Sequence, residues 1–150
     1  MSTAFATLAD VALVGLPASS LGVLSVAQQQ ACVDWANAAA GSRLAGRYPG
    51  INLGGAGWTW DYAVTGYVVA LARKRMLDVR GRAPSTASAD ALVDTLYKEA
   101  VDFFRDVQLQ SLHPAITGGE SDGATSQGPV FSSSSVAWTS SNRRAPNRGI

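Results

Sequence analysis

Hydrophobic positions recur at helical spacing along residues 7–112, and this periodicity is lost beyond that point. The first periodic stretch is short. Thr7 precedes Asp10 by three residues, as a capping hydroxyl precedes an acid in a first helical turn, and the Gly15-Leu16-Pro17 sequence predicts where this helix stops. The whole pattern predicts an all-α fold, a small helical bundle of about four helices.

The second predicted helix begins at Ser25, where Ser25 and Gln28 form a capping-box pattern, and runs to about Leu44 or Ala45. Trp35 is the only large side chain in the middle of its predicted buried stripe, so we expect Trp35 to anchor the helix against a neighbour. Replacing such an anchor by alanine would cost about 3 to 5 kcal/mol. The predicted stripe is Leu24, Ala27, Ala31, Trp35, Ala38 and Ala45.

The third predicted helix runs from about Asp61 to Val79 and is apolar on several faces, which favours a central position in the bundle. Gly81 is expected to end it. A fourth helix follows Pro84 and is strongly amphipathic. Its predicted apolar face is Leu92, Leu96, Ala100, Phe103 and Val107.

Residues 113–150 are rich in Ser, Gly, Thr and Pro, and they are predicted to form a long extended C-terminal arm on a helical body of residues 1–112. This composition buries too little apolar surface to offset the entropy of ordering it. Two interpretations stay open: a solvated tail, or an arm that becomes ordered on a partner. Aromatic and arginine side chains are enriched at interfaces, and the predicted anchors are Phe131, Trp138, Arg143 and Arg144. The short strand-like pieces 129–131 and 136–138 could add to the edge of a partner's sheet.

Charge is balanced over the chain, with a net charge of +1, but it is divided between two neighbouring segments. Residues 73–82 have a local net charge of +4 and residues 90–106 one of −3. Either the two helices neutralise each other, or the cations form a DNA-binding or subunit-interface patch. Sequence-specific DNA recognition is not expected, because no recognition helix is evident. The candidate patch is Arg73, Lys74, Arg75, Arg80 and Arg82.

Residues suited to catalysis or metal binding are few. Cys32 and His113 are the only cysteine and histidine, and nothing in the sequence predicts the contact that a thiol–imidazole pair would need. The Gly54–Gly57 run lacks the Lys-Ser/Thr ending of a phosphate-binding loop. We therefore expect no enzyme activity, no metal and no cofactor. The apolar stretch 62–72 is too short to span a bilayer and no basic residue precedes Arg43, so a soluble protein without a membrane partner is expected.

Three segments resemble the Mu-type phage neck proteins, which are similar to the head–tail connector (adaptor) proteins of tailed bacteriophages and prophages. They are residues 43–49 (RLAGRYP), 69–78 (VALARKRMLD) and 97–106 (YKEAVDFFRD). The resemblance covers about residues 5–112, and its most specific part is the sequence Leu44–Pro49. The glycine-rich loop and the serine-rich end lie outside it.

The resemblance implies a structural protein of the virion neck, assembled in the host cytoplasm. Copies of such proteins form a ring, commonly of twelve subunits, beneath the portal protein. The ring extends the DNA channel, lets genomic DNA pass without sequence readout, and presents a platform to the next neck or tail-completion protein. By analogy with adaptors that dock through a C-terminal segment, the arm would bind the portal. The alternative is a small helical DNA-binding protein of the packaging apparatus that uses the basic patch.

Overall fold

A computed structural model describes residues 4–13, 23–53, 57–82 and 87–118 of the 150-residue chain. Within these ranges the chain forms a small all-α bundle with little strand, which confirms the predicted fold class. Two two-residue strands pair in antiparallel orientation beside the helices. The elements are α1 (Leu8–Leu13), α2 (Val26–Ala45), a 3-10 turn (Ile51–Leu53), β1 (Thr59–Trp60), α3 (Tyr62–Arg80), α4 (Ala87–Gln108) and β2 (Ile116–Thr117).

Helix α3 is the central element, as predicted. It packs against α1, α2 and α4, and buried residues occur on all its sides. Asp61 caps its first turn by accepting a hydrogen bond from the Ala63 N–H at 2.5 Å, and Gly81 ends it with φ +83°. Its buried residues are Val64, Val68, Val69, Ala70, Leu71, Ala72, Arg73, Met76 and Leu77.

Helix α2 begins at the predicted capping box, with Ser25 Oγ accepting from the Gln28 N–H at 3.2 Å and Gln28 Oε1 accepting from the Ser25 N–H at 2.9 Å. The predicted buried stripe, however, was wrong in its middle, although Leu24 is buried as predicted. Trp35 is 43% exposed, and the alanines at 27, 31 and 38 are exposed with it. The buried face consists of Cys32, Val33, Ala36, Asn37, Ala40, Gly41 and Leu44.

Helix α4 buries most of its predicted face against α3. Phe103 stacks on Tyr67 of α3 with ring centroids 4.2 Å apart, while Ala100 and Val107 are fully buried. Leu96 is half-buried, and Leu92 is 55% exposed. The apolar stripe therefore extends beyond the surface that α3 covers.

The segment before α1 is held to the bundle by one buried polar side chain, Asn37. Its Nδ2 donates to the Ala6 carbonyl at 2.9 Å, and its Oδ1 accepts from the Ala6 N–H at 3.0 Å. Thr65 of α3 donates to the Phe5 carbonyl at 2.9 Å, and the Phe5 ring lies 4.9 Å from that of Trp60. Asn37 therefore pairs with both the N–H and the C=O of Ala6, as a neighbouring β-strand would.

The body continues beyond the predicted boundary at residue 112. Residues 113–118 pack against it, and Ile116 is buried. The rest of the predicted arm, including the strand-like pieces 129–131 and 136–138, lies outside the described residues, as do residues 54–56 of the glycine-rich loop.

We predict that Asn37→Ala lowers the free energy of unfolding by about 2 to 4 kcal/mol, because it leaves the buried N–H and C=O of Ala6 without partners. Urea denaturation followed by circular dichroism measures the change. The control is Gln30→Ala, which removes an exposed amide and should change stability by less than about 0.5 kcal/mol. Equal effects of the two substitutions would contradict the anchoring role of Asn37.

Trp35→Ala should cost about 1 to 2 kcal/mol, less than the loss of a buried anchor, since Trp35 is 43% exposed and part of its covered surface contacts Arg75, whose guanidinium lies 5.3 Å from the ring centroid. Phe104→Ala is the matched comparison, because Phe104 is 1% exposed and its truncation should cost about 3 to 5 kcal/mol. Thermal unfolding of both variants tests the difference. If Trp35→Ala lowered the stability as much as Phe104→Ala does, Trp35 would be a packing anchor after all.

Candidate functional site

The first residues of the predicted arm contact the residues that follow α2. Arg47 Nη2 lies 2.7 Å from His113 Nδ1, and the Tyr48 hydroxyl donates to the Pro114 carbonyl at 3.3 Å. An arginine only donates hydrogen bonds, so Nδ1 of this histidine accepts and its proton is on Nε2. Arg47 and Tyr48 belong to the Leu44–Pro49 motif, so the motif holds the root of the C-terminal segment.

The strand pair continues this contact along the chain. The Asp61 N–H donates to the Ala115 carbonyl at 3.1 Å, Trp60 pairs with Ile116, and Thr59 pairs with Thr117. The two threonine hydroxyls lie 2.7 Å apart. The Asp61 bond comes directly before α3, so residues 113–117 are tied both to the end of α2 and to the start of α3.

Gly118 is the last described residue, and its backbone fits closely against the chain at residues 57 and 58. It has φ +128°, a conformation that L side chains rarely adopt. A Cβ at this position would meet the Gly57 carbonyl oxygen and lie 2.5 Å from the Trp58 Cα. Glycine is required here on both grounds.

The five cations of the predicted basic patch are not gathered into one surface. Lys74 lies 2.7 Å from Asp78 and 3.2 Å from Asp94. Arg82 lies 2.5 Å from Asp94. These contacts join the end of α3 to the beginning of α4, as the neutralisation interpretation predicts.

Arg80 makes the most buried of these ion pairs. It lies 2.6 Å from Asp90, and the two side chains are 11% and 6% exposed. Arg75 lies over the Trp35 ring on another side of the body. Three of the five cations are thus paired with α4 carboxylates, and a fourth contacts an aromatic ring.

Arg73 is the fifth cation and is buried, with 4% of its surface exposed. Among the described residues its one hydrogen bond runs from Nη2 to the Val11 carbonyl at 2.9 Å, and Nε is buried without a partner. Burial lowers the pKa of this guanidinium. It pairs with no carboxylate in the described part of the chain, where the Val11 carbonyl dipole faces its charge.

Cys32 and His113 do not form a catalytic pair. Cys32 is buried on the core face of α2, and this burial raises the pKa of its thiol. His113 is exposed, and its Nδ1 is occupied by Arg47. In the described ranges no three His, Cys, Asp or Glu side chains are grouped so that they could bind a metal ion. None of the helices described has the length and hydrophobicity needed to cross a membrane.

An apolar groove runs between α3 and α4 and has a volume of about 300 Å³. Gly66 and Ala70 of α3 and Leu96 of α4 line it, and Tyr62, 68% exposed, lies at its α3 start. Arg73 contributes to the wall about three turns further along α3. The residues predicted to anchor the arm (Phe131, Trp138, Arg143 and Arg144) lie outside the described residues.

No protein-family model, curated protein or solved structure matches this chain. The site is therefore interpreted from its own geometry. Two features were missed in the sequence, the Arg47–His113 contact and the burial of Arg73. Arg47 and His113 are 66 residues apart and belong to no shared periodic pattern. One hint was available in the Leu44–Pro49 motif, because it contains Arg47 and Tyr48, for which no role was predicted.

The ion pairs of Asp94 predict how stability depends on pH. The hydrogen bond from Arg82, followed by that from Lys74, lowers the pKa of Asp94 below its ordinary value of 3.8. A carboxyl whose pKa is lowered by folding stabilises the protein above its unfolded-state pKa, and this contribution is lost as pH falls through the folded-state pKa. Asp94→Asn should therefore reduce stability at pH 7, and its difference from wild type should shrink below pH 3.8.

Urea midpoints measured between pH 7 and pH 2 test this prediction. Asp34→Asn is the control, because Asp34 is exposed and its hydrogen-bond partner is the neutral amide of Gln30. This control should keep the wild-type pH dependence. A constant difference between wild type and Asp94→Asn at every pH would show that the ion pairs do not contribute.

Proposed function

We propose that this protein is a structural head–tail connector of a tailed-phage virion. The helical body forms a ring beneath the portal, commonly of twelve copies in proteins of this kind, and the C-terminal arm binds the portal. The ring extends the DNA channel and presents its far face to the next neck or tail-completion protein. In this proposal the protein acts by geometry and carries out no chemical reaction.

The observation that carries the proposal is the contact between Arg47–Tyr48 and His113–Pro114. The most specific part of the resemblance to phage neck proteins is the Leu44–Pro49 motif, and this motif holds the root of the arm. A connector that binds through an arm needs this arrangement, because a fixed root sets where the arm leaves each subunit of a ring. The residues that best support the resemblance are therefore the ones that hold the first residues of the arm, which is what a connector that binds through its arm needs.

Exposed apolar side chains support association with other subunits. Val23 is 77% exposed and Val26 is 70% exposed at the start of α2, while Leu109 is 70% exposed and Leu112 is 40% exposed after α4. Single exposed apolar residues are normal, but pairs at both ends of the body offer contact area to neighbouring copies. Ring symmetry would bury them at every interface.

Charge pairing favours this proposal over the DNA-binding alternative. A phosphate-binding surface needs several cations directed to solvent. Here Lys74, Arg80 and Arg82 contact carboxylates of α4, and Arg73 is buried. A channel that lets DNA slide without being held does not need a basic surface on this face.

Co-purification with the portal tests the proposal. The full chain with Phe131, Trp138, Arg143 and Arg144 all replaced by serine should keep its helical circular dichroism and lose portal binding, because the arm anchors are gone. A chain shortened after Gly118 should behave in the same way. The cut belongs after Gly118 because residues 115–118 pack on the body.

The matched control replaces Ser132, Ser133, Ser134 and Ser135 by alanine, which changes as many arm positions and should leave portal binding intact. Portal binding by the anchor-free chain would contradict the docking arm. Retention on DNA that falls steeply with salt, without portal binding, would favour the alternative function.

A further inference from the structure

Helix α2 presents an apolar face to solvent, although the exposed face of a helix is normally polar and charged. Trp35 lies in the middle of this face and is 43% exposed. Every residue of α2 is described, and Asp34 is the one charged residue among its exposed positions. Because alanine is short, the indole projects beyond its neighbours. We call this surface the Trp35 face, and it consists of Ala27, Ala31, Asp34, Trp35 and Ala38.

The α3–α4 groove lies on the opposite side of the central helix. Arg75 contacts the ring of Trp35, whereas Gly66, nine residues earlier on α3, lines the groove. Nine residues are about two and a half turns of an α-helix, so Gly66 and Arg75 lie on opposite sides of α3. Each copy of the protein therefore has a projecting indole on one side and an apolar groove on the other.

The two surfaces match in length and in chemistry. The groove follows α3 from Tyr62 to Arg73, and the Trp35 face runs along α2 from Ala27 to Ala38. Each pair is eleven residues apart, which is about 16 Å at the rise of an α-helix. With a volume of about 300 Å³, the groove has room for one large aromatic side chain. Small side chains on both surfaces allow the helices to approach closely.

Charge is also complementary between the two surfaces. Arg75 lies beside Trp35, and Glu99 is exposed on the α4 side of the groove. Neither forms an ion pair with a residue in the described ranges. A copy whose Trp35 enters the groove of another copy brings its Arg75 to the surface that carries Glu99. An ion pair at the rim of such a contact sets its orientation more than it adds affinity.

We propose that the Trp35 face of one copy docks into the α3–α4 groove of a second copy, with Trp35 as the anchor and an Arg75–Glu99 ion pair at the rim. The contact is head-to-tail, because each copy binds with one surface and is bound on the other. Repeating such a contact gives a closed ring or an open filament, depending on the rotation per step. As the subunit contact of the connector ring it rests on the proposed function, whereas the contact itself requires only copies of this chain.

Sedimentation velocity of the purified full chain tests the contact. Wild type should associate as its concentration rises to about 1 mM, and a chain that stays monomeric throughout would overturn the proposal. Trp35→Ala should raise the dissociation constant at least about tenfold, as the loss of a buried aromatic anchor does. Gly66→Gln should do the same by filling the groove, and it fits its own body because an added Cβ meets no atom within 4 Å.

Mixing the two variants distinguishes a head-to-tail contact from a two-fold one. Trp35→Ala keeps an intact groove and Gly66→Gln keeps an intact Trp35 face, so the mixture should form a one-to-one dimer and nothing larger. A two-fold contact between Trp35 faces would leave Gly66→Gln dimeric on its own, and one between grooves would leave Trp35→Ala dimeric. Either result would overturn the proposal.

Charge exchange tests the orientation. Glu99→Arg should weaken association, and Arg75→Glu added in the same chain should restore it, because every contact then carries the reversed pair. Lys98→Glu is the control, since it also reverses one exposed charge on α4 but does not line the groove, and it should associate as wild type does. If the second exchange does not restore association, the proposed orientation is wrong.

Portal co-purification is a separate measurement, so the contact and the connector function fail in different ways. Open filaments of the wild-type chain would support the head-to-tail contact and contradict a closed ring. Monomers that still bind the portal would contradict the contact and leave the connector function standing.

Discussion

The central position of α3 is the constraint on which the rest of the body depends. A helix that is apolar on several faces has to be covered by other elements on those faces. Helices α2 and α4 cover two sides and α1 a third, while the stacking of Tyr67 on Phe103 holds α4 to α3. The ion pairs follow from this packing, because the basic end of α3 emerges from the core where α4 begins.

Arg73 is the exception within this core. Among the described residues no carboxylate pairs with this buried cation, and one hydrogen bond does not restore the several kcal/mol of hydration that burial removes. That bond, within the described residues, reaches the Val11 carbonyl in α1. This contact joins α1 to the central helix, while Asn37 joins the preceding residues to α2. Two buried polar side chains therefore hold the N-terminal segment in addition to its apolar residues Phe5, Ala6 and Val11, which are buried in the core.

Helix α4 could be predicted from the sequence because its apolar and polar residues lie on opposite faces, and helix α3 because it is apolar on several faces. Helix α2 could be predicted in extent, through its capping box, but not in orientation. Alanine occurs on both its faces, so the side chain with the largest apolar area, Trp35, decided the predicted stripe. An indole can instead lie on the surface when a cation such as Arg75 packs on its ring. The two-residue strands were beyond prediction, since two residues show no alternation.

The motif after α2 explains how a bundle without a real sheet can hold residues 113–118 in place. Arg47 and Tyr48 hold residues 113 and 114, the strand pair holds 115–117, and Gly118 fits closely against residues 57 and 58. Each contact is weak alone, since the Arg47–His113 pair is exposed and the strands are short. Together they fix residues 113–118 on the body. The entropy of these residues has already been lost in folding, so any contact made to them carries no further cost of ordering them.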